Sequence, residues 1–224
     1  VEALARWRLP DGRMVPPVNF VPMIENAGLI EELTRHMLVE SCRWHERWKD
    51  AGFDLRMSVN VSASNLTGPE VADRYEKILR GHGMAPEDMI LEITESSVMS
   101  DTARGLGMLA RLRLKGFGLS VDDFGTGYSS LAQLSQIPFT ELKIDQGFVG
   151  GAPNQARKRA VIETSLDLAR KLDLQVVAEG VETMAEWQLL AQLGCDFAQG
   201  YLISPAVAGD RLLEAIQQWR STRH

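Results

Sequence analysis

Eight polar side chains stand where short apolar runs end or have just ended: Glu2, Asn60, Glu92, Asp122, Asp123, Lys143, Glu179 and Gln199. Strand residues alternate faces with a period of two. Met57, Val59 and Val61 therefore share one face and leave Asn60 on the other. The same alternation sets Glu92 against Leu91 and Ile93, Asp122 against Leu119 and Val121, Lys143 against Leu142 and Ile144, and Glu179 against Val176 and Ala178. In the opening run Glu2, Leu4 and Arg6 fall on one face. A single polar residue at a strand end is ordinarily a cap or a surface group. Repetition over six runs instead predicts one shared cleft. Five carboxylates converging there would repel one another and take up protons. Two divalent cations would offset that charge, and the hard oxygen donors favour Mg²⁺ or Mn²⁺ over zinc. A carboxylate bridging two ions suits phosphoryl chemistry by an activated water. Asp122 and Asp123 are adjacent and point apart in a continuous strand. Both can serve only if the strand ends there and Asp123 turns into the loop, which Gly125 and Gly127 would permit.

The elements that must position these groups recur as strand, then helix. Apolar or β-branched runs cover 55–61, 89–94, 117–122, 141–145, 175–179 and 197–203, with an opening run at 1–7. Helical segments are expected over 30–51, 70–81, 101–115, 129–135, 154–172, 183–193 and 210–220. Ile30, Leu33, Met37, Leu38 and Cys42 form an apolar stripe at helical spacing. Strand–helix alternation implies a parallel sheet with crossovers. The fold class is α/β, and a closed eight-stranded barrel with its site at the C-terminal ends of the strands is the expected architecture; a doubly wound open sheet is the alternative. No Gly/Ser/Pro-rich linker divides the 224 residues, so one domain over 1–224 is expected.

Composition narrows the function. Apolar residues make up 45% and charged residues 24%, which excludes disorder as the main state. Net charge is −6, so there is no global footprint for a DNA or RNA polymer or for an anionic membrane. No stretch reaches the roughly 18 apolar residues of a membrane helix, and no signal peptide opens the chain. Two cysteines, Cys42 and Cys195, are too few for a disulfide framework and read as buried thiols of a cytoplasmic protein. None of the histidines His36, His45, His82 and His224 sits at an expected strand end. His45-Glu46 lacks the second histidine four residues on that a zinc-protease helix needs, so all four read as structural or solvated. Trp44 and Trp48, one helical turn apart, read as core or interface. No Ser-His-Asp or Cys-His set for a covalent intermediate is visible.

The same residues lie in a set of motifs. They are Glu2-Ala3-Leu4 with Arg6, Asn60-Val61-Ser62, Glu92-Ile93-Thr94-Glu95, Asp122-Asp123-Phe124-Gly125-Thr126-Gly127, Lys143-Ile144-Asp145, Glu179-Gly180-Val181-Glu182 and Gln199-Gly200-Tyr201. In that order they resemble the EAL domain, the bacterial cyclic-di-GMP phosphodiesterase, over nearly the whole chain.

The resemblance implies a TIM-like (β/α)8 barrel with one antiparallel strand, whose first strand, with its Gln-Pro pair, is not in this sequence. It implies metal ligation by Glu2, Asn60, Glu92, Asp122, Asp123 and Glu179, with two Mg²⁺ or Mn²⁺ per site and inhibition by Ca²⁺. It assigns catalytic roles to Glu2, Asp122, Lys143 and Glu179, substrate contacts to Leu4, Arg6, Asp145 and Gln199, and loop support to Thr126 and Glu182. The implied reaction opens cyclic-di-GMP to linear pGpG. A catalytically silent receptor for the same nucleotide is the rival class, and such members typically lose ligands that are all present here. A homodimer and an upstream regulatory domain are further expectations. Ser204 and Pro205 are adjacent here, where the family often has Ser-x-Pro after a basic residue.

Overall fold

In the computed structural model, residues 1–66, 68, 70–95, 102–125 and 134–222 are described. The chain separates into two compact units, 1–93 with 101–118, and 94–100 with 119–224.

In the first unit, the opening run does not form one strand. Glu2–Ala3 (β1) pairs in parallel with Met57–Asn60 (β4), while Trp7–Arg8 (β2) turns away to pair antiparallel with Met14–Val15 (β3). Pro10 and Gly12 supply the turn between β2 and β3. β4 in turn pairs in parallel with Met89–Thr94 (β5), with Asn60 opposite Glu92. Helices α1 (Pro17–Asn26), α2 (Ile30–Asp50), α3 (Glu70–Gly81) and α4 (Thr102–Leu114) complete the unit. The expected helices over 30–51 and 70–81 are present within one residue. Helix α1 is an addition to the expected helices, with Pro16 before it and Pro22 inside it. Pro17 sits in the first turn, where its missing N–H costs nothing, and Phe20 anchors the helix at 2% exposure. Leu38 and Cys42 of the α2 stripe are fully buried against a core that includes Val59, Leu79, Leu91 and Leu112.

The second unit holds Gly118–Phe124 (β6), Glu141–Ile144 (β7), Gln175–Ala178 (β8) and Phe197–Ala198 (β9), paired in parallel in that order. Its helices are α5 (Gln146–Val149), α6 (Ala156–Lys171), α7 (Met184–Leu193) and α8 (Leu212–Ser221). Leu119, Val121, Leu142, Ile144, Val176 and Ala178 form the apolar strand face and are buried, as the period-two pattern requires. The last run, expected over 197–203, keeps strand geometry for two residues only, because Gly200 departs from it and a turn follows. Most of the helix expected over 129–135 lies outside the described residues.

Helix α7 begins with a capping box that composition alone did not reveal. Thr183 accepts from the Glu186 backbone N–H, and Glu186 accepts back from Thr183 N at 2.9 Å and Glu182 N at 3.0 Å. The other Glu186 oxygen accepts from Gly151 N at 2.8 Å, tying the α7 start to the turn after α5. Burial alone pushes this carboxyl up. The N–H donors of Gly151, Glu182 and Thr183, with the Thr183 hydroxyl, outweigh it and hold the group below the usual glutamate value. A depressed folded-state pKa contributes stability that is present above the unfolded value and lost as pH falls through the folded one. Glu186→Ala is therefore expected to destabilise by about 2–4 kcal/mol at neutral pH, and the difference from wild type should shrink as pH drops below about 4. Urea melts at several pH values read both.

Cys42 is buried as expected, whereas Cys195 is only half-buried. Burial pushes both Cys42 and Cys195 up to about 11. Among the described residues no helix is long and apolar enough to cross a membrane.

Candidate active site

In the first unit, adjacent parallel strands bring three expected ligands into line. Asn60 ends β4 beside Glu92 of β5. The Asn60 side-chain amide donates to Glu2 Oε1 at 2.9 Å. Glu92 is 2% exposed, whereas Glu2 is half-buried and Asn60 faces solvent. The amide–carboxylate contact fixes the Asn60 rotamer and leaves its Oδ1 pointing elsewhere, a suitable donor for a hard cation. Leu4 and Arg6 follow β1 and are exposed. The Arg6 guanidinium donates to the Ala5 carbonyl at 3.0 Å.

In the second unit, Asp122, Asp123 and Glu179 each offer a carboxylate oxygen within 4.8 Å of the others. Their convergence has a specific backbone cause. Opposite β7, Val121 pairs with Leu142 and Phe124 with Ile144, so β6 takes three steps where β7 takes two. The extra residue is a bulge, and Asp123 adopts left-handed backbone at φ 55°. The strand does not end at Asp122, as the sequence reading required; it continues to Phe124 and kinks. The kink cancels the alternation that would send the neighbouring carboxylates to opposite faces. Aspartate is among the few non-glycine residues that tolerate this region, at a cost of roughly 1–2 kcal/mol. Asp122 Oδ1 accepts from the Asp123 N–H at 3.0 Å. Gly125 N donates to Glu95 Oε2 at 2.9 Å, and Glu95 is 3% exposed. Glu95 thus anchors the end of the bulged strand, a role that its place in the Glu92-Ile93-Thr94-Glu95 motif alone does not reveal.

Lys143 is 2% exposed and reaches the same cluster. Its Nζ lies 2.7 Å from Glu179 Oε1 and 3.5 Å from Asp122 Oδ1. Gln199 Nε2 donates to the same Glu179 oxygen at 2.9 Å. The strand ladder runs one residue past β8 and β9, through Glu179 N to Ile144 O and Gln199 N to Ala178 O, and so holds both backbones rigid. Asp145 caps α5 by accepting from Gly147 N at 2.9 Å. Burial raises the Asp123 carboxyl above its usual value, and the charges of Asp122 and Asp145 raise it further against Lys143. Excess negative charge on clustered oxygen donors is the environment a divalent cation relieves, so the residues fit a hard divalent cation.

Beside Gln199, Gly200 sits at φ 156°, where a Cβ would overlap the Val181 backbone. That backbone is held on both sides, since Val181 N donates to Gln199 O and Leu202 N donates to Val181 O. Gly200→Ala is expected to cost about 2–4 kcal/mol and to weaken the Gln199–Glu179 contact. Thermal melting together with turnover measures this.

Glu182 is exposed, and its backbone N–H serves Glu186. Thr126 and the rest of 126–130, in the loop over 123–130 that Glu182 is expected to support, lie outside the described residues.

The comparisons with known proteins place the chain in a family. The EAL domain family model matches residues 1–206. The chain is 39% identical over 217 residues to the bifunctional diguanylate cyclase/cyclic di-GMP phosphodiesterase MucR of Pseudomonas aeruginosa, covering 96% of this chain and 32% of that protein. It is 34% identical over 213 residues to the cyclic di-GMP phosphodiesterase RocR of the same organism, covering 95% of this chain and 54% of RocR. The chain thus spans about a third to a half of these relatives. Among solved structures, the PaMucR phosphodiesterase in complex with c-di-GMP superposes with a TM-score of 0.88 at 39% identity, covering 94% of this chain and 86% of that one. The EAL enzyme Bd1971, bound to cAMP and cyclic-di-GMP, gives a TM-score of 0.88 at 32% identity, over 96% of this chain and 59% of that one. The fold is accordingly the TIM-like α/β barrel fold of these structures, and the chain belongs to the EAL domain family.

Proposed function

We propose that the chain hydrolyses cyclic-di-GMP to linear pGpG. The observation that carries the proposal is the carboxylate cluster of Asp122, Asp123 and Glu179 built around the buried ammonium of Lys143. The naming of MucR and RocR as phosphodiesterases supports it. Mg²⁺ or Mn²⁺ held by Asp122, Asp123 and Glu179 would polarise water and offset charge on the phosphate.

The chain's own residues do the rest. Lys143, within reach of both Glu179 and Asp122, supplies positive charge where negative charge develops on the phosphoryl oxygens. Glu179 and Gln199, hydrogen-bonded to each other, orient water at the rim. Arg6 offers an exposed guanidinium to a substrate phosphate. Water adds its oxygen to one phosphorus, the bond from that phosphorus to the 3′ oxygen breaks, and the 3′ oxygen leaves with a proton. The ring opens to a dinucleotide with one free 5′ phosphate.

The test is incubation of the chain with Mg²⁺ and cyclic-di-GMP, followed by chromatographic identification of products. Conversion to pGpG is the expected result. Tight nucleotide binding without conversion would overturn the proposal in favour of a receptor.

A further inference from the structure

The reaction proposed above leaves a second cluster unused, at the opposite ends of the strands of the first unit. His45 lies on α2, Asp54 three residues before β4, and Asp88 immediately before β5. Along β5, Asp88 is four residues from Glu92, roughly 13 Å in extended chain. One ligand atom from each of His45, Asp54 and Asp88 lies within 4.8 Å of the others.

His45 is 2% exposed, and its Nε2 is buried with no hydrogen-bond partner. That nitrogen is 3.7 Å from Asp88 Oδ2, beyond hydrogen-bond length. Buried polar atoms are almost always paired. A buried, orphaned imidazole nitrogen facing Asp88, in a cluster that Asp54 completes, has the character of a ligand set awaiting its ion.

We propose that His45, Asp54 and Asp88 bind a zinc-class divalent cation. An imidazole nitrogen is a softer donor than those of the Asp122 cluster and suits Zn²⁺ rather than Mg²⁺. Two carboxylates balance the ion's charge. One nitrogen and two carboxylate oxygens leave the fourth tetrahedral position to water. Ligand atoms around tetrahedral zinc sit about 3.3–3.6 Å apart, so the His45–Asp88 distance needs to close by only a few tenths of an ångström. Asp54 is exposed and Asp88 half-buried, which gives the ion a path from solvent. Bound there, the ion would clamp α2 to the segments that lead into β4 and β5, the strands whose other ends carry Asn60 and Glu92.

The experiment equilibrates the full chain with Zn²⁺ in the presence of excess Mg²⁺, which occupies the oxygen-only cluster, and measures bound zinc by elemental analysis and the melting temperature. Wild type is compared with His45→Gln, Asp54→Asn and Asp122→Asn. Wild type and Asp122→Asn are expected to retain one zinc per chain and to melt higher with it. His45→Gln should bind zinc at least tenfold more weakly and lose the zinc-dependent shift. Should His45→Gln fail to fold, Asp54→Asn at its exposed position makes the same comparison. Cobalt substitution adds a direct readout, since tetrahedral cobalt absorbs strongly in the visible. Zinc retained equally by wild type and by a folded His45→Gln or Asp54→Asn, or lost in Asp122→Asn alone, would overturn the proposal. Either outcome would leave His45 and Asp88 as a loose imidazole–carboxylate pair.

Discussion

Asp122→Asn is expected to lower cyclic-di-GMP turnover by on the order of 10³-fold, the scale of losing one preorganised charged group in a site, while leaving the fold unchanged. The substitution is isosteric. Asn keeps the Oδ1 that accepts from Asp123 N–H at 3.0 Å, so the bulge that shapes the site retains its internal hydrogen bond. What disappears is charge. With Asp122 neutral, Lys143 still faces the Glu179 carboxylate at 2.7 Å but no longer a charged Asp122 at 3.5 Å. The cluster of Asp122, Asp123 and Glu179 also loses one of the three negative groups that attract a divalent cation. Cation affinity should fall with turnover. Chromatographic rates, circular dichroism and calorimetric titration with Mn²⁺ separate the two effects. Turnover at the wild-type rate would remove Asp122 from the chemistry. Unfolding would mean that its role is to hold the strand.

The strand positions were legible because burial on one face enforces a period of two, and β5 lies where that period sets it, Met89–Thr94. The convergence of Asp122 with Asp123 was not legible by the same rule. Alternation assumes an unbroken register, and the bulge opposite Lys143 breaks it. Tertiary pairing creates that bulge, and no local propensity announces it. The first β-run failed for a related reason. Alternation continued past Ala3, but the chain changed partners, from β4 to the β2–β3 ribbon. Glu186 did carry a local signal, the Thr183-x-x-Glu186 capping box, which lies at a helix start and not at a strand end. His45 carried none. Its neighbours Asp54 and Asp88 are 9 and 43 residues away in sequence, and only the packing of α2 on the strand entrances unites them.

Chelation is expected to abolish turnover, and Mg²⁺ or Mn²⁺ to restore it, whereas Ca²⁺ should permit nucleotide binding with turnover lower by on the order of 10²-fold or more. The donor set admits all three ions, since every group in it is a carboxylate or amide oxygen. They differ in size and stringency. Mg²⁺ demands near-octahedral geometry at about 2.0–2.1 Å, while Ca²⁺ accepts 6–8 oxygens at about 2.3–2.6 Å. Asp122, Asp123 and Glu179 stand on a kinked strand and a rigid ladder end, and Lys143 is packed at 2% exposure, so the surroundings resist expansion. A larger ion must then be met by displaced reacting groups, and a displacement of an ångström costs on the order of 10²-fold in rate. Substrate affinity rests on charge and base contacts that such a shift alters less. Product formation in each ion, alongside calorimetric binding of cyclic-di-GMP, tests the argument. Melting of the chelated chain, repeated with Zn²⁺ alone, separates loss of the reaction from loss of the clamp at His45. Full turnover in Ca²⁺, or unchanged turnover after exhaustive chelation, would show that the carboxylates do not act through a bound ion, and Lys143 would then have to carry the chemistry alone.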